Sequence, residues 1–175
     1  LDYYRPLGNP SKFIRALLSH FSRSKDESIM PEAYRAYADS LKGKAKSEEE
    51  KLESQKTSEV ARAYETYEQL LLKENALDYG GLIQTALRLF QTRKNVLQRY
   101  QERFEHILVD EFQDTNFAQN QLLLLLSEKH RNLFIVGDDD QRICKWRGAS
   151  VENILAFEKY FPDAKIVPII LQWEI

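Results

Sequence analysis

Cysteine is almost missing from this chain. Cys144 is the single one among 175 residues, beside three histidines. One thiol excludes an internal disulfide framework and fits a reducing compartment, so the expected location is cytoplasmic. So few thiols and imidazoles argue against a zinc site. No run of about 18 apolar residues occurs, which excludes an ordinary membrane-spanning helix, and no secretory signal segment is visible. The pattern G-x-x-x-x-G-K-[Ser/Thr] is absent too, so the chain has no phosphate-cradling loop and no P-loop lysine. Nor is there an excess of positive charge, the net charge being −2. Residues 1–105 hold 18 Lys and Arg against 16 Asp and Glu, a balance of +2; residues 106–175 hold 7 against 11, a balance of −4. Neither half has a global basic field, and contact with nucleic acid needs a local patch.

What is present suits a buried core. Hydrophobic residues make up 43% of the chain and charged residues 30%, enough for one soluble domain or two small ones. Helical spacing dominates residues 1–105, whereas residues 106–175 alternate strand and helix patterns. The expected fold class is therefore α/β: a helical N-terminal subdomain followed by part of a parallel-sheet domain. No internal repeat or low-complexity tract appears.

The most informative stretch runs from Ile107 to Ala149. Ile107-Leu108-Val109 is a short apolar run that reads as a strand buried on both faces. It leads into Asp110-Glu111, placing the strand over about 107–111. In open α/β sheets, ligands bind beyond the carboxyl ends of the strands. Two acids there suit a magnesium ion, which takes one or two carboxylates together with waters and phosphates. Neighbours on a strand point to opposite sides, so Asp110 can hold the metal while Glu111 orients and deprotonates a water. Leu133-Phe134-Ile135-Val136 is a second such strand, ending in Gly137-Asp138-Asp139-Asp140-Gln141 at the same rim. Gln141 is a neutral donor suited to sensing a terminal phosphate. Arg142, Lys145, Trp146 and Arg147 mix cations with an indole, a combination that suits a nucleic-acid strand. Three consecutive acids at 138–140 cannot all face one ion, so turn chemistry is the better reading there.

DEFQDTN followed by VGDDDQ-x-I-x-x-WRGA resembles the second and third helicase motifs of superfamily 1 DNA helicases of the UvrD/Rep/PcrA type. The two occur in order, at the family's spacing, with Phe161-Pro162-Asp163-Ala164-Lys165 following. The resemblance implies a RecA-like (P-loop NTPase) sheet for residues 106–175 and a helical insertion of the kind called 1B within residues 1–105. It implies ATP and Mg²⁺ as cofactors, with Asp110, Glu111 and Gln141 at the nucleotide and Asp110 holding the metal directly or through water. It also implies single-stranded DNA and duplex junctions as partners, contacted by Trp146, Arg147, Arg142 and Lys145. Translocation would run 3′ to 5′, in DNA repair or replication restart. With no P-loop, the chain reads as a piece of a longer helicase, with half an ATPase site and no hydrolysis of its own. Two positions depart from the family's pattern, Arg142 standing where Ser is usual and Cys144 where Tyr is usual. Stacking on that tyrosine is worth about 1–3 kcal/mol per base, so its loss weakens DNA binding there by roughly 5- to 150-fold.

In the helical half, Ser11 can cap a helix carrying Phe13, Leu17 and Phe21, and residues 22–28 read as a polar loop. Pro31 opens a second helix, with Tyr34, Tyr37 or Ala38, and Leu41 on one stripe as packing residues. Residues 43–58 are almost devoid of apolar side chains. Ser47 and Glu50 have the form of a capping box, and a flexible charged connector is the alternative. Lys42, Lys44, Lys46, Lys51 and Lys56 are candidates for duplex DNA, although Glu48, Glu49, Glu50 and Glu53 interleave with them and favour a solvated, self-neutralising face. Val60, Tyr64, Tyr67 and Leu71 mark a helix over about 58–74. Residues 75–81 break it, and Leu82, Ile83, Ala86, Leu87 and Phe90 begin the next. The L-D-Y-G-G-L-I here resembles a further family segment, with Gly81 where an acid is common. Val96, Leu97, Tyr100 and Phe104 complete a last helix. Beyond it, helices are expected over about 117–129, capped by Asn116 or Thr115, and 150–160, with a strand over 166–171. Leu122 to Leu126 make the first of these hydrophobic nearly all round, and so buried.

Two other readings predict different behaviour. A metal-dependent nuclease using Asp110, Glu111, Asp114 and Asp138 predicts metal-dependent cleavage by this chain. A non-enzymatic DNA- or protein-docking module predicts binding that survives changes at Asp110 and Glu111.

Overall fold

The computed structural model describes residues 3–137, 157 and 159–167. Among these residues the fold is mostly helical, with one small parallel sheet. Its elements are α1 (Ile14–Asp26), α2 (Pro31–Lys42), α3 (Glu48–Lys73), α4 (Tyr79–Thr92), α5 (Lys94–Arg103), β1 (Ile107–Val109), a 3₁₀ turn (Phe112–Asp114), α6 (Phe117–Ser127) and β2 (Leu133–Ile135). The expected helix over 150–160 and strand over 166–171 fall largely outside the described residues.

Local chemistry sets most of the boundaries. Pro31 is the first residue of α2, where its missing N–H costs nothing. The capping box is present at α3: Ser47 Oγ accepts from Glu50 N, and the Glu50 carboxylate accepts from Ser47 N. The helix then runs unbroken from Glu48 to Lys73, so residues 48–58 are helix rather than connector. Few of them are apolar, but Glu, Lys and Gln lose little freedom in a helix. Asn75 ends α3 in the left-handed conformation at φ 50°, with Ala76 N–H returning to Leu71 O.

Two expectations about α1 are corrected. Ser11 does not cap it; its hydroxyl donates to Asn9 Oδ1, and Phe13 holds the N-cap position. Nor does the helix stop at residue 22. It continues to Asp26 because Ser24 and Lys25 are buried, and it closes on Ser28 at φ 56°, with Ile29 N–H bonded to Ser24 O.

The core of the helical half is aromatic. Phe21 of α1 stacks on Tyr64 of α3 with ring centres 4.7 Å apart and planes 7° apart, while Tyr34 of α2 meets Tyr64 edge-on. Tyr64 is fully buried and donates to Ile29 O, so its hydroxyl is satisfied inside the core. Tyr34 is thus a packing residue as expected, whereas Tyr37 faces outward.

The sheet departs from expectation in its burial. β1 and β2 pair in parallel with register Ile107↔Leu133, Leu108↔Phe134 and Val109↔Ile135. Leu108 is 74% exposed and Phe134 60%, while their neighbours in each strand are half-buried. The strands are therefore covered on one face only among the described residues. α6 lies between them in sequence and packs on α4, α5 and α1, with Gln101 Nε2 donating to Leu125 O across 2.7 Å. Its leucines, 122 to 126, are half-buried rather than enclosed, and Ala118, Asn120 and Ser127 take the buried positions.

Candidate functional site

The rim beyond the two strands is built by the chain leaving β1. Val136 N–H donates to Val109 O at 2.8 Å and Phe112 N–H donates to Val136 O at 2.9 Å, so the segments that follow both strands are bonded to each other. Phe112 is 1% exposed, with its ring edge-on to Phe157. This buried ring anchors the turn and leaves the acids before it in solvent, where both Asp110 and Glu111 are exposed. The strand stops at Val109 rather than at residue 111. Glu111 has φ 51° and ψ 42°, a left-handed conformation that ends the strand abruptly. A non-glycine residue there costs about 1–3 kcal/mol and persists only where its surroundings hold it.

Several bonds hold it. Asp110 Oδ1 accepts from Glu111 N at 3.0 Å, and Asp114 N–H donates to Glu111 O at 2.9 Å. Gln113 Nε2 donates to Glu111 Oε2 at 2.5 Å. Thr115 Oγ1 donates back to Phe112 O, and Asn116 starts α6 through a second capping box with Gln119. Asn116 Nδ2 also donates to Asp26 Oδ1 at 2.7 Å, which fastens the site's outgoing helix to the end of α1. Burial is the main cause that raises the Asp26 carboxyl above its ordinary value, followed by the charge of Glu27.

Asp110 and Glu111 are therefore brought together on one rim, as exposed carboxylates that fit a hard, partly hydrated cation such as Mg²⁺. Among the described residues no three of His, Cys, Asp and Glu gather into a group that could hold a metal by themselves. That includes Asp110, Glu111 and Asp114 of the nuclease reading, whose fourth residue, Asp138, lies outside the described residues. The rest of the expected site, Asp138, Gln141, Arg142, Lys145, Trp146 and Arg147, lies outside the described residues. Gly137, which opens that segment, is described. A Cβ placed there would stand 3.0 Å from Gln113 Oε1, so residue 137 lies directly against the turn that follows Glu111.

A second polar cluster was not expected. Lys25 is completely buried, with Nζ 2.8 Å from both oxygens of Asp78 and 2.6 Å from Glu68 Oε1. The ammonium also lies over the Tyr67 ring. Asp78 caps α4 by accepting from Gly81 N, and it accepts the Tyr67 hydroxyl at 2.8 Å. Burial works to raise the Asp78 carboxyl, but the bonds from Lys25, Tyr67 and Gly81 outweigh it and hold it below its ordinary value. Burial first, and then its bond to Asp78, push the Tyr67 hydroxyl up to about 12. Gly80 lets Lys25 in, because a Cβ at 80 would stand 2.9 Å from Lys25 Cβ. The Asp78-Tyr79-Gly80-Gly81 run was the only sequence signal of this cluster.

Of the candidate lysines for duplex DNA, two have carboxylate partners. Lys51 pairs with Glu48, Lys42 with Asp39, and Lys56 lies over the Tyr3 ring. No helix among the described residues is long and apolar enough to cross a membrane.

Residues 9–162 match the family described as the UvrD/REP helicase N-terminal domain. The chain is 39% identical over 160 residues to the ATP-dependent DNA helicase PcrA of Bacillus subtilis, covering 91% of this chain and 20% of that protein. It is 48% identical over 108 residues to the PcrA of Staphylococcus aureus, covering 62% of this chain and 15% of that one, and 47% identical over 108 residues to the PcrA of Staphylococcus epidermidis. The chain thus spans about one fifth of the length of the Bacillus relative. With most of its residues matched to that one family, this chain belongs to the UvrD/REP helicase N-terminal domain family.

Proposed function

We propose that the chain is part of an ATP- and Mg²⁺-dependent DNA helicase and supplies one side of its ATPase site. The observation that carries this reading is the pair Asp110 and Glu111, exposed at the end of a parallel strand and held by a strained turn. Residues 106–175 form part of a RecA-like domain, and residues 1–105 form the helical insertion with its connecting helices. The P-loop lysine that this chain lacks comes from elsewhere in a longer polypeptide, so the chain alone does not hydrolyse ATP.

In this mechanism Asp110 holds the ion, directly or through water, and Mg²⁺ when bound neutralises charge on the nucleotide phosphates. Glu111 Oε1 accepts the proton of the attacking water, while Oε2 is occupied by Gln113. Gln141 contacts the terminal phosphate. Arg142, Lys145, Trp146 and Arg147 contact single-stranded DNA near a duplex junction, and hydrolysis drives 3′ to 5′ movement in repair or replication restart in the cytoplasm.

The test is ATP hydrolysis by the complete protein with and without single-stranded DNA, compared with its Asp110→Asn variant. Stimulated hydrolysis that the substitution abolishes supports the reading. Hydrolysis that is unchanged by it removes Asp110 from the site and overturns the reading.

A further inference from the structure

Glu111 is pre-aimed by its own turn. A left-handed glutamate side chain projects from the rim with several rotamers open to it, and a base gains most when its oxygen is fixed near the attacking water. Three features narrow that freedom. Phe112 is buried and bonded to Val136 O, so the backbone beneath the acid is anchored. Gln113 turns its amide back over the same turn and donates to Glu111 Oε2. Gly137 packs beside that amide, where a Cβ would stand 3.0 Å from Gln113 Oε1, 3.5 Å from Gln113 N and 3.6 Å from Phe112 Cβ.

We infer that Gln113 is a positioning residue for Glu111, and that Gly137 is glycine because the Gln113 amide needs the space a side chain would fill. This rests on the proposed role of Glu111 as the base. One carboxylate oxygen is tied down by the amide, and the other is left to take the proton. The third helicase motif thereby contributes to the second through shape as well as through any ligand contact of its own.

The test is the steady-state ATPase of the complete protein with saturating single-stranded DNA, in four variants. Gln113→Met keeps the length and loses the donor; it should lower kcat about 10- to 100-fold with KM for ATP unchanged, since a misplaced group affects the chemical step. Gly137→Ala should lower kcat in the same direction but by less, because the tip of Gln113 has to shift by only a few tenths of an ångström. In the double variant Gln113→Ala/Gly137→Ala the glycine change should add nothing to Gln113→Ala alone, because the group it displaces is gone. A merely structural role predicts a fall in thermal stability and a changed KM, with the Gly137→Ala loss persisting in the double variant. That result overturns the inference, as does an unchanged kcat in Gln113→Met. A parallel Glu111→Gln variant separates the two claims. If it keeps full activity, the base assignment itself fails; if it is inactive while Gln113→Met is normal, only the positioning role fails.

Discussion

The Lys25 ammonium lies 2.8 Å from each oxygen of Asp78, although the two residues are 53 positions apart in the chain. It joins the end of α1 to the cap of α4, and through Glu68 to α3. A buried cation leaves a heavy desolvation cost if its partners are removed, and the partners carry one if the cation is removed. Lys25→Met should therefore destabilise the fold by about 3 kcal/mol, read as a lower midpoint in urea unfolding. An unchanged midpoint would show that the cluster contributes nothing net.

The same cluster sets an acid response. The folded Asp78 carboxyl lies below its ordinary value of 3.8, so the unfolded chain binds its proton first. Its contribution is complete above that value and is lost as the pH falls below 3.8 through the folded value. Asp26 has the opposite sign, because its raised carboxyl makes stability fall as the pH climbs from 3.8 through the folded value. Asp78→Asn should flatten the first loss, and Asp26→Asn should remove the second, in unfolding measured across the acid range.

Gly80 and Gly43 give a contrast within one residue type. A Cβ at 80 meets Lys25 Cβ, an atom that cannot swing away, whereas a Cβ at 43 meets nothing within 4 Å. Gly80→Ala should cost about 1–3 kcal/mol despite the better helix former. Gly43→Ala should leave stability unchanged or raise it by up to about 1 kcal/mol. Thermal unfolding of the two variants side by side checks the pair.

Asn116 has two tasks, capping α6 and bonding Asp26. Asn116→Ala should lose about 1–2 kcal/mol, and Asn116→Ser, which keeps a cap but not the reach to Asp26, should lose less. Hydrogen exchange in the first turn of α6 would show which task matters more.

Local signals account for much of the helical half. The Ser47/Glu50 box, Pro31 at the start of α2 and the stripe of Val60, Tyr64 and Tyr67 each act within a few residues, and each is where the spacing predicts. The run of α1 to Asp26 was hidden because it depends on Lys25, a residue that looks solvated until its partners on α3 and α4 are brought to it. Strand burial differs from the sequence expectation because apolar runs report hydrophobicity and not what covers them; among the described residues Leu108 and Phe134 are as apolar as their neighbours, yet exposed. At the site, Asp110 and Glu111 stood out by their place after a strand. The left-handed turn at Glu111 did not, because it rests on bonds to Val136 and Gln113 that no spacing rule encodes.

The most direct measurement separates binding from hydrolysis in Glu111→Gln of the complete protein. The account predicts that ATP affinity is kept while the DNA-stimulated hydrolysis rate falls by about 10²- to 10⁴-fold, the contribution of a positioned base. A variant that hydrolyses ATP at the parent's rate would contradict it.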